Sequence, residues 1–393
     1  MTKPLEVFKV FLKLGLTSFG GPVAHLGYFR KELIEKREWL DDYQYTQLLS
    51  ICQFLPGPAS SQLGFCLGLV RGGWLGAIAA FLAFTLPSAI LLVVFSSLLP
   101  LLENETGVAV IHGLKIVAFA VVIDALLGML KKLCPDKQRK MIALSSICGL
   151  LLFDSPYTQI FIVFLSAILG LVLCKSSPEK NTTLIPIYYG RKLGSLFLFL
   201  FFGLLFLLPF LTSLENSYVN LSNIFYQAGA LVFGGGHVVL PLLEESLVGS
   251  SQLSNEAFLA GYGASQAIPG PMFSFSAYLG AIIPTGAHFS IGAMIALLSM
   301  FIPGFLLVCG VLPYWRVISE FRAVANAILG INAAVVGLLG AALYDPIFTS
   351  AILKPVDLAI GLVGLSLLKI WQLSTLVVIV WCVSASVMVS TFL

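Results

Sequence analysis

The sequence predicts an all-α polytopic membrane protein with two inverted-topology repeats of six helical elements each, including broken or re-entrant helices, joined by a linker transmembrane helix. Three observations lead to this prediction: the composition, two matched pairs of helix breaks, and a reversal of loop charge between the halves. Of the 393 residues, 58% are hydrophobic and only 10% are charged, whereas a soluble domain carries about 25% charged residues. This composition leaves no soluble domain long enough to stand alone.

The helix breaks come in two pairs, and the second pair repeats the first after nearly the same number of residues. The first pair is Ser18-Phe19-Gly20-Gly21 with Gln53-Phe54-Leu55-Pro56-Gly57-Pro58, and the second is Val232-Phe233-Gly234-Gly235 with Gln266-Ala267-Ile268-Pro269-Gly270-Pro271. Glycine and proline interrupt helices. In lipid, the backbone groups that such a break frees must be received by protein or by a wet cavity. Matched breaks therefore predict a shared polar site inside the membrane protein.

The first repeat, predicted over residues 1–175, opens with an apolar helix that ends at the first glycine break. A bent hairpin over 45–70 follows, and its arms of about a dozen residues are too short to span, because a bilayer core needs about 20; we predict that it is re-entrant. The predicted spans are 73–99 and 108–130, and a short helical hairpin covers 141–153 and 157–174.

A linker over residues 176–220 carries one extra apolar span, 193–211, which has no counterpart in the repeats. The second repeat, predicted over 221–393, then follows the order of the first. Its elements are a glycine-broken helix over 223–243, a bent hairpin over 258–283, spans over 291–313 and 323–343, and a short hairpin over 356–368 and 374–392.

Loop charges reverse between the repeats. The loop that holds Lys131 and Lys140 is rich in basic residues, and its counterpart over 346–355 has only Lys354; likewise, the basic stretch from Arg30 to Arg37 corresponds to one with Glu244 and Glu245. Basic loops prefer the cytoplasm. The halves are therefore predicted to have opposite topology, with a cytoplasmic N-terminus and a C-terminus outside. Inverted repeats with broken helices are typical of secondary transporters.

The breaks are predicted to bind an anion. Helix starts present free N–H groups and a partial positive charge, glycine allows close approach, and nearby hydroxyls and amides can replace a water shell. The alternative is that these residues serve only helix packing and kinks. The predicted substrate-binding residues are Phe19, Gly20, Gly21, Gln53, Pro56, Gly57, Pro58, Ser60, Ser61, Lys115, Phe233, Gly234, Gly235, Gln266, Pro269, Gly270, Pro271 and Ser274.

Titratable residues within the apolar segments are candidates for charge compensation or proton coupling. Lys115 and Asp124 lie on opposite faces of one predicted helix, so each needs a different partner. Lys115 is predicted to hold the anion, and Asp124 and His237 are candidates for proton coupling. A position near the helix ends is the alternative for Lys115 and Asp124. His25 and His237 follow the glycine breaks and could titrate near neutral pH, and a packing or headgroup-facing role is the alternative for both.

No catalytic function is expected, because the sequence has no metalloprotease, P-loop or intramembrane protease motif. The seven cysteines are scattered, which argues against a disulfide framework or a metal cluster. No cofactor, metal or nucleic-acid partner is therefore expected. The expected partners are the anion and the lipid bilayer, and a homodimer is left open.

Two segments and their second copies carry a family resemblance: Leu14-Gly15-Leu16-Thr17-Ser18-Phe19-Gly20-Gly21-Pro22 and the bend from Gln53 to Pro58. Together they resemble the chromate ion transporter (CHR) family, in its long-chain form with two CHR domains, over nearly the whole chain. The second copy departs from the first, with Gly236-His237 in place of Pro22-Val23. The resemblance implies a multi-pass transporter of the bacterial inner membrane that exports chromate, with proton coupling as a further expectation. Sulfate uptake is the alternative substrate and direction, and an uncoupled anion channel or a membrane scaffold is the alternative class.

Overall fold

The structure, a computed structural model, consists of helices joined by turns and short irregular segments, and none of the residues it describes lies in a strand. These residues are 3–18, 21–102, 104–153, 158–175, 189–212, 216–233, 238–284, 288–318 and 321–392. The prediction of an all-α polytopic chain with two repeats is confirmed. Within the described part of the chain, five helices are long and apolar enough to cross a membrane: Ala59–Leu101, Glu105–Leu133, Arg191–Leu211, Phe289–Tyr314 and Arg322–Ala351.

The helices of the first repeat follow the predicted order. Two hairpin arms are separated at the Pro56-Gly57-Pro58 bend, and the second arm continues into a span. In chain order the helices are α1 Lys3–Thr17, α2 Gly21–Phe29 (extended by a π-helical turn, Arg30–Glu35), α3 Asp42–Phe54, α4 Ala59–Leu98, α5 Glu105–Leu133, α6 Lys137–Leu152 and α7 Thr158–Leu173. The turn predicted between the last two, at 154–156, lies outside the described residues.

The linker span is α8, Arg191–Leu211, and the second repeat follows it with the same succession. Its helices are α9 Ser217–Leu231, α10 Val239–Leu247, α11 Asn255–Ala267, α12 Phe275–Ile282 (preceded by a 3-10 turn, Met272–Ser274), α13 Phe289–Val311, α14 Trp315–Ile318, α15 Arg322–Ala342, α16 Thr349–Ala351, α17 Pro355–Lys369 and α18 Thr375–Phe392. The short α14 and α16, and the π-helical turn Leu343–Phe348, extend the ends of spans.

Local sequence explains where several helices begin. The side chain of Asp41 accepts a hydrogen bond from the Gln44 amide at 2.7 Å and starts α3 with a capping box, and Asn104, Asp136 and Ser254 cap α5, α6 and α11 in the same general way. Such caps satisfy backbone donors that have no partner within the helix. The N-terminal boundaries of these elements therefore follow from single polar residues.

The long helix α4 is two helices joined at a kink. Gly72 and Gly73 have non-helical backbone angles, and Gly73 has a positive φ of 64°. The arm that follows the bend therefore ends at Arg71, and a separate span begins beside Trp74. This division corresponds to the predicted boundary between the re-entrant hairpin and the first full span.

The chain folds into two compact units, and each unit contains segments of both repeats. Unit 1 comprises residues 1–91, 175–236 and 269–325, and unit 2 comprises residues 92–174, 237–268 and 326–393. Unit 1 therefore includes both Pro-Gly-Pro bends, the helices α1 and α2, and the linker span α8. Unit 2 includes α5, which holds Lys115 and Asp124.

In unit 1, the same glycine contact occurs once in each repeat. A Cβ built on Gly15 of α1 would lie 2.8 Å from the carbonyl oxygen of Phe84 on α4. A Cβ on Gly229 of α9 would meet the carbonyl oxygen of Met300 on α13. Because glycine lets two helix backbones approach closely, each glycine-broken helix packs directly on the proline-containing span of its own repeat.

In unit 2, α5 is the central helix and packs against α11, α17 and α18. Gly113 of α5 lies against the backbone of Val383, and Gly263 of α11 lies against the carbonyl of Leu114. On the other side of the unit, Gly170 of α7 contacts the backbone of Asn326 and Gly330 on α15. Small residues thus set the spacing of helices throughout this unit.

Candidate functional site

The two bends adopt the same unusual backbone. Gly57 has a φ of 118° and Gly270 has a φ of 109°, and each lies between two prolines. Side chains with a Cβ rarely occupy this region of φ, whereas glycine occupies it readily. The helix that follows the first bend begins at Ala59, and the 3-10 turn and helix that follow the second begin at Met272. Each bend therefore places a helix start directly after a glycine with left-handed φ.

Each bend is held by the broken helix of the other repeat. The N–H of Gly57 donates to the carbonyl oxygen of Val232 at 2.7 Å, and the N–H of Gly270 donates to the carbonyl oxygen of Ser18 at 3.1 Å. Ser18 and Val232 occupy corresponding positions, each directly before a Phe-Gly-Gly segment. The two repeats therefore exchange equivalent backbone hydrogen bonds, and within unit 1 the residues that follow α1 and α9 meet the two bends.

Each bend also rests on the proline-containing span of the other repeat. A Cβ on Gly57 would lie 3.0 Å from the Cα of Gly304, directly after Pro303 on α13, and a Cβ on Gly270 would lie 2.9 Å from the hydroxyl oxygen of Ser88, directly after Pro87 on α4. Neither bend has room for a side chain larger than hydrogen. The positions that face the bends are the same in both repeats, but the residues differ: Gly304 in one and Ser88 in the other.

Side chains fasten the two bends by different means. At the first bend, the Gln62 Nε2 donates to the carbonyl oxygens of Pro56 at 2.9 Å and Gly304 at 3.0 Å. At the second, the hydroxyls of Ser88 and Ser274 are 2.7 Å apart, and the Ser88 hydroxyl also lies within hydrogen-bonding distance of the Thr85 carbonyl at 2.9 Å. The symmetric backbone frame therefore carries asymmetric side chains, so the two bends differ chemically.

Buried polar atoms without a partner are concentrated in unit 1, around these bends. Among the described residues, five such atoms are Ser18 Oγ, His25 Nδ1, Ser61 Oγ, Gln62 Oε1 and Thr85 Oγ1. Buried polar groups in native proteins are almost always hydrogen-bonded, and leaving one unpaired costs about 1–3 kcal/mol. Several of them in one region indicate a place that receives water or a polar ligand.

This arrangement has the properties of an anion site. The first amides of a helix have no intrahelical acceptor and carry partial positive charge, and both bends place such amides beside buried hydroxyls. Gly57 and Gly270 are themselves covered by Gly304 and Ser88, and their N–H groups already donate to Val232 and Ser18. The amides offered to an anion are therefore those of the helix starts that follow the bends. Hydroxyls and amides at fixed positions can replace the hydration shell of an oxyanion without a large change of structure.

Lys115 and Asp124 have different partners, and both belong to unit 2. The ammonium of Lys115, on a side chain only 9% exposed, lies 3.7 Å from a carboxylate oxygen of Glu256, which is 66% exposed. Asp124 accepts from Lys369 at 3.0 Å, and both of those side chains are more than a third exposed. The structure thus supplies a countercharge to each residue inside unit 2. The roles in anion binding and proton coupling stay predictions.

The other predicted site residues fall into three groups. Gln53 is exposed on α3, Gln266 is half-buried on α11 in unit 2 with its Nε2 3.4 Å from the Ser265 hydroxyl, and Ser60 is buried in the first turn of α4. Phe233 directly follows the carbonyl that holds the first bend, and Gly21 begins α2. Four predicted binding residues and one predicted proton-coupling residue lie outside the described residues: Phe19, Gly20, Gly234, Gly235 and His237.

The polar residues that fasten the bends have no sequence signal of their own. Gln62, Thr85 and Ser88 lie inside an apolar segment and belong to no repeated motif. The only available signal is positional: Ser88 and Gly304 each follow a proline at the same place in their spans. A comparison of the two proline positions would have pointed to this pair, but only tertiary packing brings Ser88 against Gly270.

Glu32 and Glu244 are among the described carboxyl groups outside the spans that have shifted pKa values. Glu32 is largely buried, which raises its pKa, but Arg37 and Lys36 donate to it and hold its pKa below the ordinary value. Burial raises the pKa of Glu244 to about 7, and the nearby carboxylates of Asp345 and Glu245 add to the shift.

Among the described residues, no group of His, Cys, Asp and Glu could hold a metal ion.

Comparison with known proteins points to one family. The family described as chromate transporter matches residues 5–171 and again residues 219–387. A probable chromate transport protein of Synechococcus elongatus is 29% identical over 86% of this chain and 83% of its own length. A chromate transport protein of Pseudomonas aeruginosa is 26% identical over 95% and 89%, and an uncharacterized transporter of Methanocaldococcus jannaschii is 26% identical over 85% and 82%. No solved structure matches this chain.

Proposed function

Because the chain belongs to the chromate transporter family, we propose that it is a secondary transporter that binds a tetrahedral oxyanion at the two bends of unit 1 and exports chromate. Membership of this family makes it a multi-pass membrane transporter, and its relatives are transporters rather than enzymes. The proposal also includes export, coupling to protons, location in the bacterial inner membrane and a cytoplasmic N-terminus.

The observation that carries the proposal is the exchange of hydrogen bonds between the repeats. Gly57 is held by Val232, and Gly270 by Ser18, so the four breaks form one frame rather than four separate kinks. Secondary transporters built from inverted repeats bind substrate where broken helices meet. A frame that joins both repeats can also move when one repeat rocks against the other, which is how such folds alternate access.

The chemistry of the frame favours an oxyanion over a cation or an apolar solute. Helix starts face the bends, and hydroxyls of Ser18, Ser61 and Thr85 are buried without a partner among the described residues. An oxyanion has several acceptor oxygens and can receive hydrogen bonds from amides and hydroxyls together. A metal cation would instead require carboxylate or carbonyl ligands pointing inward.

Flux measurements test the proposal directly. The purified protein is reconstituted in proteoliposomes, and uptake of radiolabelled chromate and sulfate is measured with and without a pH gradient. We expect saturable chromate flux, competition by sulfate if the site recognises tetrahedral dianions in general, and acceleration by a pH gradient. Transport of sulfate alone would favour the uptake of sulfate as the natural activity. Flux that does not saturate and cannot be driven uphill by a gradient would indicate a channel, and no flux of either ion would contradict the proposal.

A further inference from the structure

We propose that His25 is the proton-carrying residue of the anion site, and that one proton is bound at its imidazole for each oxyanion that enters. This inference rests on the proposed function and assigns its proton coupling to a residue of unit 1, rather than to Asp124 or His237. It is carried by the geometry of the imidazole and by the absence of another countercharge among the residues described around the second bend.

The ring of His25 has one nitrogen engaged and one free. Its Nε2 lies 3.2 Å from the carbonyl oxygen of Ser18, and a carbonyl can only accept, so Nε2 must carry a hydrogen. Nδ1 then holds a lone pair. His25 is only 1% exposed, and its Nδ1 has no partner among the described residues. A buried lone pair of this kind requires a donor or a proton.

The imidazole is connected to the second bend through a single atom. The carbonyl oxygen of Ser18 that accepts from His25 also accepts from the N–H of Gly270. The ring packs edge-on against Phe84, with centroids 5.2 Å apart, and Thr85, whose hydroxyl is also unpaired, is the next residue on α4. His25 therefore belongs to the same contact cluster as the bend, with buried hydroxyls beside it.

An oxyanion at this bend would need a positive charge. Burying an unpaired anion is very costly, and helix starts supply only partial charge. None of the described residues in the contacts around the second bend is lysine or arginine: they are Ser18, Phe84, Thr85, Ser88 and Ser274. Lys115 lies in unit 2 with Glu256. His25 is the group in this cluster that becomes cationic by taking up a proton.

The other titratable groups on the elements that pack around His25 do not compete for this proton near neutral pH. On α3, the hydroxyl of Tyr45 donates to the carbonyl oxygen of Leu26 at 2.6 Å. On α4, the described residues from Phe81 to Leu92 are not titratable. Of the charged residues that follow along the chain, Arg30 pairs with Asp42, and Glu32 pairs with Lys13, Lys36 and Arg37.

The proton balance is simple. A dianion that arrives with a proton transfers it from its oxygen to Nδ1, so that an O–H bond breaks and an N–H bond forms. A dianion that arrives without one is joined by a proton taken from a water molecule, which goes to the same nitrogen and leaves a hydroxide ion in the solution. In either case the new Nδ1–H donates to the oxyanion, and the loaded site carries one proton per dianion. Its release with the anion couples the two fluxes.

The experiment counts protons in binding rather than in transport. Purified protein in weakly buffered detergent at pH 8 is titrated with sodium chromate and, separately, with sodium sulfate, while pH and bound anion are recorded. The wild type is expected to take up one proton per anion, and its affinity should fall about tenfold per pH unit over the range in which the free imidazole is neutral and the loaded one is charged. In His25→Gln, whose amide can still donate to Ser18, proton uptake and the pH dependence of affinity should both disappear.

The matched control is His288→Gln. His288 is exposed at the start of α13 and contacts Ser290, so this variant should keep the proton uptake of the wild type. Should His25→Gln fail to accumulate, nitrogen NMR of histidine-labelled wild type decides instead, because the chain has only four histidines. One of the four, assigned through variants of the other three, should become an imidazolium when chromate is added.

The outcomes separate this inference from the proposed function. A wild type that binds chromate or sulfate without proton uptake, or a His25→Gln variant with unchanged uptake, overturns the role of His25 and leaves the transporter intact. A wild type that binds neither anion overturns the proposed function itself.

Discussion

The partner of each charged residue in the apolar helices explains how its charge is compensated. Lys115 is almost fully buried on α5 and lies 3.7 Å from the exposed Glu256, whereas Asp124 on the same helix pairs with Lys369 at a more exposed place. A charged group inside a membrane protein is costly and needs a protein or water partner. Because Lys115 is more deeply buried than Asp124, it has the greater need of a partner for its charge.

We expect Lys115→Ala to lower oxyanion flux per inserted molecule at least tenfold, equivalent to about 1.4 kcal/mol, with Lys115→Arg retaining part of the activity because the charge stays while the geometry changes. Flux in proteoliposomes, normalised to inserted protein, is the measurement. Glu256→Gln is the comparison. If Glu256→Gln lowers flux as much as Lys115→Ala does, the ion pair between Lys115 and Glu256 stabilises the fold. Lys115 then has no separate role in binding the anion.

Glu244 permits a prediction about pH and stability. Its folded pKa, about 7 because of burial and the neighbouring Asp345 and Glu245, lies above the ordinary value of 4.5. The folded state therefore binds more protons than the unfolded state between these values, so this group lowers stability progressively as pH rises from about 4.5 to about 7. The cost at higher pH is at most about 3 kcal/mol, and less where solvent screens the carboxylate.

Glu244→Gln should accordingly raise the thermal midpoint in detergent at pH 8 and leave it unchanged at pH 4. The difference between variant and wild type should grow through the interval from pH 4.5 to pH 7. An equal gain at both pH values would mean that packing, rather than ionisation, is responsible.

At the scale of elements, the two bends act as one frame. Each is a glycine with left-handed φ between prolines, held by a carbonyl of the other repeat and covered by a proline-containing span. A kink that served only to bend a helix would need no such exchange. The equivalence of Ser18 and Val232 argues that the frame is a property of the repeated fold, and the difference between Ser88 and Gly304 shows that each repeat contributes differently.

We expect Gly57→Val and Gly270→Val to abolish oxyanion flux per inserted molecule. A Cβ at either glycine adopts an unfavourable φ and meets Gly304 or Ser88, and a branched side chain tolerates even fewer conformations. Flux and membrane content are measured together. Alanine variants at both positions provide a milder change in case the valine variants do not accumulate.

The matched control is Gly203→Val on α8, where a Cβ would meet nothing within 4 Å. Gly170 would be a poor control, because a Cβ there would meet the backbone of Asn326 and Gly330. Full normalised flux in both bend variants would remove the bends from the substrate site.

At the scale of the whole molecule, sequence repeats and compact units divide the chain differently. Each unit contains parts of both repeats, as when α11 of the second repeat packs on α5 of the first. A transporter built in this way cannot be separated into two independently folded halves at the linker. The orientation of each repeat in the membrane stays a prediction from loop charge.

Labelling from one side of the membrane tests that orientation. We expect Gln138→Cys, in the first turn of α6 and within the basic segment from Lys131 to Lys140, to face the cytoplasm. Leu353→Cys, in the counterpart of that segment before α17, should face outside. Both positions are exposed. Of the seven native cysteines, only Cys148 is exposed. Both variants are therefore made in a Cys148→Ser background, so that an impermeant thiol reagent reacts only with the introduced cysteine. Labelling of both positions from the same side would contradict the inverted repeat.

The sequence by itself determined the succession of helices, the place of each break and the pairing of the repeats. These features depend on local chemistry: apolar length defines a span, and Gly-Gly or Pro-Gly-Pro stops a helix wherever it occurs. The predicted hairpin over 45–70, for example, corresponds to α3 and the first part of α4 with the bend between them. Family motifs lie in these same segments.

Only the tertiary structure decided which break meets which, and which polar atoms are left without a partner. Hydrogen bonds from Gly57 to Val232 and from Gly270 to Ser18 join residues far apart in the chain, and no periodicity records such a contact. The same holds for His25: its sequence position, shortly after a glycine break, suits a packing residue as well as a functional one. Its burial, its engaged Nε2 and its unpaired Nδ1 arise from packing, because whether a polar group is satisfied depends on what surrounds it in space.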